Sequence, residues 1–124
     1  MMLPPEIAET ELLYRGITEH PFMWKSAENR PSSAAFKSEN LSVDREGGRN
    51  EEDVCAALGQ RLSLQAVVRI QALACRSCGT DPVARPTDDN PYHAEIHHPS
   101  GSPSLSSGQA RCLATTCSLV SPTS

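Results

Sequence analysis

Apolar and polar positions alternate most cleanly from Tyr92 to His98: Tyr92, Ala94 and Ile96 fall on one side, His93, Glu95 and His97 on the other. A period of two predicts a half-buried strand. Pro91 fixes its entry, and Pro99-Ser100-Gly101 stops it. Leu12–Ile17 (LLYRGI) predicts an earlier strand with Arg15 inside it. Leu62–Ile70 predicts another, because Leu62 and Leu64 alternate with Ser63 and Gln65 before β-branched Val67-Val68. Ser32–Phe36 (SSAAF) and Leu41–Asp44 (LSVD) read as an extended pair around a turn at Ser38-Glu39-Asn40, with Leu41 and Val43 on one face.

Three stretches switch to helical spacing. Asn50 can cap a helix whose first turn is Glu51-Glu52-Asp53, whose stripe is Val54, Ala57 and Leu58, and whose stop is Gly59. Ile70, Leu73, Ala74 and Cys78 fit a short helix ended by Gly79. Ser106 or Ser107 can cap a last helix, Gln109–Cys117, with the stripe Ala110, Leu113, Ala114 and Cys117. Pro21 breaks any helix in Thr18–Asn29, and the Phe22-Met23-Trp24 cluster after it reads as a core anchor. Arg45–Arg49, Thr80–Asn90 and Ser100–Ser107 read as loops. The pattern predicts one α+β domain over 12–117: a mixed or antiparallel sheet of about four short strands with two or three helices. Residues 1–11 and 118–124 read as flexible tails.

Composition narrows the function classes. Leu, Ile, Val and Phe together make up somewhat under roughly one-fifth of the 124 residues, a lean core. A net charge of −4 without any basic run argues against a nucleic-acid partner. No apolar stretch approaches the roughly 20 residues that span a bilayer, so no membrane partner is expected. MMLPPEIAETE lacks the basic and apolar regions of a signal peptide. The expected compartment is therefore the cytosol, with the five cysteines reduced.

The blocks SSAAF, LSVD, an acidic-start helix, NPYHAEI and SSGQAR, in that order, resemble a group of small uncharacterised bacterial proteins with SSAAF…LSVD…NPxHA blocks. The resemblance spans about Leu12–Cys117. It implies one compact domain and no known activity, and it does not imply the Cys75–Cys78 pair.

Four chemical readings stand beside plainer ones. Cys75-Arg76-Ser77-Cys78 before Gly79 resembles a zinc knuckle, with His93, His97, Cys112 or Cys117 as further ligands. Cys112 and Cys117 would lie about 140° apart on a helix, however, and buried free thiols explain the same residues. His93-Ala94-Glu95 matches half of a zinc-deaminase signature, but the C-x-x-C precedes it instead of following. Arg15, Ser32 or Ser33, and Glu95 occur in the order found in ADP-ribosyltransferases. That resemblance implies that the arginine and serine hold NAD and that the glutamate stabilises an oxocarbenium-like transition state. His93, Glu95 and His97 would also suit general acid–base work, being about 6.6–6.8 Å apart along one strand face, against the plainer reading of a solvated face.

Without a complete catalytic or metal pattern, the sequence points first to a non-catalytic cytosolic accessory module with a protein partner and no cofactor. A nucleotide-acting enzyme through Arg15, Ser33 and Glu95 is the alternative, as is a small zinc domain on Cys75 and Cys78. The enzyme reading requires Arg15, Ser33 and Glu95 to converge.

Overall fold

In the computed structural model, which describes residues 3–18 and 22–120, the alternating stretches all enter one sheet. The chain runs through β1 (Leu12–Thr18), β2 (Trp24–Lys25), β3 (Arg30–Pro31), a 3-10 turn (Ser33–Phe36) and β4 (Leu41–Arg45). It continues through α1 (Glu51–Arg61), β5 (Leu64–Gln71), α2 (Ala72–Ser77), β6 (Asp81–Ala84), β7 (His93–His97), α3 (Ser107–Thr116) and β8 (Ser118–Leu119). The sheet order is β6-β7-β4-β1-β5-β8, and every pairing is antiparallel. β2 and β3 form a separate two-stranded ribbon. The architecture is the expected α+β, but the sheet has six strands instead of about four. Among the described residues no helix is long and apolar enough to cross a membrane.

Alternation gives the sheet two unlike faces. Leu13, Ile17, Val43, Val68, Ala94 and Ile96 share the main core with Phe36, Cys75 of α2 and Leu113 of α3. Burying each large aliphatic chain there contributes about 1.5–3 kcal/mol. On the other face α1 lays Val54 and Leu58 over Tyr14 and Val67. That helix packs on β1 and β5, and the same face of β4 and β7 carries Ser42, Asp44, His93, Glu95 and His97.

The local signals hold where a cap or period carries them. The Asn50 side chain accepts from the Asp53 N–H, and Ser106 and Gln109 form a reciprocal capping box. Gly59 does not stop α1, which runs on to Arg61. β5 runs to Gln71, which shifts the next helix: Ala72 and Cys75 are buried, whereas Leu73 is 46 % exposed.

Four expectations are corrected. Ser32–Phe36 is not extended: the bonds Ala35 N–H to Ser32 O and Lys37 N–H to Ala34 O close 3-10 turns, which bury the neighbours Ala35 and Phe36 together. Thr80–Asn90 is not all loop, because β6 opens it; Pro82 is tolerated there since β6 is an edge strand. Phe22 is 72 % exposed, so only Met23 and Trp24 of that cluster pack on the core. Residues before Leu12 are not a loose tail either. Ile7 is buried, its carbonyl accepts from Arg76 Nη2, and Glu11 receives both Nε and Nη2 of buried Arg45 at 2.9 and 2.8 Å. At the other end Ser118–Leu119 pair with β5, and 121–124 lie outside the described residues.

Candidate functional site

β7 presents its odd-numbered side chains away from the main core, as the alternation predicts. Register sets Asp44 beside His93, Ser42 beside Glu95, and Asp81 beside His97. Glu95 is the hub. Its Oε1 lies 2.8 Å from His97 Nε2, and its Oε2 lies 3.5 Å from His93 Nε2. The three side chains are 18, 8 and 22 % exposed for Glu95, His97 and His93. The arrangement can share a proton between two imidazoles through one carboxylate. His98 turns the other way, and its Nδ1 sits 2.9 Å from Ser100 Oγ.

A second network adjoins His93. Asp44 is buried in β4, with Arg61 Nη2 at 2.8 Å, Asn90 Nδ2 at 3.1 Å and Arg49 Nη2 at 3.7 Å. Arg49 also lies 3.4 Å over the Tyr92 ring, a cation–π contact. Tyr92 in turn covers Gly47 at φ +56°, where a Cβ would stand 2.7 Å from the ring. Sequence reasoning passed over Asp44, Arg49, Arg61 and Asn90. The available signal was a carboxylate inside the short apolar run LSVD, which needs a cation once buried.

β1 and β4 pair only at Leu13–Arg45 and Tyr14–Asp44 and then part company. Arg15 fills the fork between them. Its Nε donates to Ala35 O and its Nη1 to Ser42 O, both at 2.8 Å. Burial lowers the guanidinium to about 10. The fork opens into a cleft of about 310 Å³, whose lining includes Arg15, Asp44, Arg61 and His93 beside apolar Ile17 and Leu58.

The expected constellations are not assembled. Arg15 projects on the Leu13–Ile17 side of the sheet and Glu95 on the opposite side. Ser33 opens the 3-10 turn, and neighbouring Ser32 donates its hydroxyl to Phe22 O. The zinc set divides in the same way. Cys78 is joined to Cys112 in a disulfide, not held reduced as expected. Cys75 is buried in the main core, where desolvation pushes its thiol up to about 12. Cys117 donates to Ala114 O, and its thiol rises to about 11, again through burial. His93 and His97 are on the other face. Among the described residues no group of three or more His, Cys, Asp or Glu is arranged to hold a metal ion.

A larger groove, about 710 Å³, runs beside the outer edge of β5. Trp24, Ala56, Leu64, Val67 and Leu119 give it apolar walls, and Glu51 and Glu52 of α1 stand at its rim. Among the described residues β8 pairs with β5 only at Val68 and Arg69, with one further bond from Val120 N–H to Val67 O. On the opposite edge a bulge leaves Gln65 without a β1 partner: Ile17 pairs with Ala66 and Thr18 with Leu64.

No family model, curated protein or solved structure matches this chain.

Proposed function

We propose that this chain is a non-catalytic binding module that takes an extended segment of a partner protein along the outer edge of β5. The observation that carries the reading is a strand paired along one edge and, among the described residues, only near Val68 and Arg69 along the other, above an apolar groove. Such an edge can accept main-chain hydrogen bonds from an added strand, while the groove receives alternate side chains. The rim favours a segment with basic residues: Arg69 answers Glu51, and Glu52 has no ion pair among the described residues. The opposite-face placement of Arg15 and Glu95 favours this reading over a nucleotide-acting enzyme built on Arg15, Ser33 and Glu95. The expected cytosolic setting belongs to the proposal too; fractionation of its own cells, with the chain followed by antibody, checks it.

The test is selection from a phage-displayed random peptide library, followed by titration of the winning peptides. The expected winners alternate apolar and basic residues, shift the amides of Leu64–Val68, and bind at least about tenfold more weakly to Gln65→Pro, which removes the backbone N–H of a groove-lining residue. Peptides that map to the β7 face, or that bind Gln65→Pro unchanged, would refute the β5 site.

A further inference from the structure

The fork between β1 and β4 presents a charge that the described residues leave incompletely answered. A guanidinium has five N–H donors. Arg15 uses two of its own, one from Nε and one from Nη1, on the carbonyls of Ala35 and Ser42. Nη2 has no hydrogen-bond partner among the described residues, and no described carboxylate lies within ion-pair distance of Arg15. No buried side-chain nitrogen or oxygen is left unsatisfied among the described residues, so Nη2 is open to the cleft rather than sealed behind it. A cation withdrawn from water is normally paired.

We infer that the cleft at the β1–β4 fork binds a small organic carboxylate carrying an apolar chain, with Arg15 as its cationic anchor. The lining sorts the ligand. Ile17, Met23, Leu58 and Leu62 offer apolar wall for a hydrocarbon chain. A monoanion suits the charge. The second cation of the cleft, Arg61, is already held by Asp44 and the Ala57 carbonyl, so a dianionic phosphate would meet the Asp44 carboxylate without a free partner. Arg15 presents adjacent N–H groups of the kind that take a carboxylate in two parallel bonds. Its lowered pKa agrees: desolvation is the cause, and a bound anion would restore it. This site is separate from the β5 edge, so either can fail without the other.

Amide NMR titration of the full chain with hexanoate, 1-hexanol and inorganic phosphate tests it. The expected result is saturable movement of Arg15–Thr18 and Leu41–Val43 by hexanoate, with hexanol and phosphate each at least about tenfold weaker. Arg15→Met should remove the preference for hexanoate over hexanol. If that variant does not fold, the ranking in the unaltered protein decides alone, and Leu62→Trp, placed at a 40 % exposed position on the cleft, should block hexanoate. Equal binding of hexanoate and hexanol, tighter binding of phosphate, or shifts confined to other regions would overturn the inference.

Discussion

Asp44 is 3 % exposed, and three side chains converge on it: Arg61, Asn90 and Arg49. Asp44→Asn keeps the shape and removes the charge, leaving two guanidinium groups short of a counter-charge. The expected loss is about 2 kcal/mol in urea unfolding, near the middle of the range for hydrogen bonds to charged groups. Buried ionisable groups also set the alkaline limit. Cys75 and Cys117 keep their protons up to about 12 and 11 in the fold, against an ordinary 9.0. Tyr14 is raised from 10.0 to about 12, chiefly by burial and then by its bond to Glu51. Below pH 9 these groups are neutral in both states and pH does not touch their contribution. Above it the unfolded chain sheds protons that the folded chain retains. Stability then falls by up to about 1.4 kcal/mol per pH unit for each group. Arg15 works in the opposite sense above pH 10, since the fold releases its proton first. Urea midpoints should therefore decline between pH 9 and 11, and Cys75→Ala should flatten the decline. The failure of the Arg15–Ser33–Glu95 set was legible in parity. Arg15 alternates in step with Leu13 and Ile17, and Glu95 out of step with Ala94 and Ile96, so the two already belonged to opposite faces.

At the scale of elements, the stretches legible in sequence are those whose period or cap is complete within a few residues. β1, β7, α1 and α3 fall in this group. Replacing Ser106 by Ala deletes the half of the α3 box in which the hydroxyl accepts from the Gln109 N–H, while the backbone N–H at 106 can still donate to Gln109 Oε1. About 1 kcal/mol of stability should go, read as a lower thermal midpoint, and Asn50→Ala should cost a similar amount at α1. β6 was hidden because four residues with Pro82 carry no period of their own; β7 defines it from outside. The fork was hidden for a related reason. Nothing in LLYRGI or LSVD says that their pairing ends after Tyr14–Asp44, and Arg15 acts as a wedge only because it does.

Across the whole molecule, Cys78 and Cys112 connect the end of α2 to α3 over 34 positions, with Cα atoms 5.6 Å apart. In the chain-entropy picture, closing a loop of that length contributes about 3–4 kcal/mol by restricting the unfolded chain. Cys78→Ser should lower the urea-unfolding free energy by that order, and reducing agent should do the same to the parent and nothing to the variant. This pairing was beyond the sequence, since an odd set of five cysteines leaves partner choice to the fold.

The same bond has a mechanical meaning. Positions 78–112 contain β6 and β7, so the strand bearing His93, Glu95 and His97 lies inside a covalent ring. Stretched from its two termini, the oxidised chain would lengthen as though that segment were missing, stopping short of the reduced chain by roughly 110–120 Å. A backbone cut between Thr87 and Asn90 would open the ring without releasing a fragment.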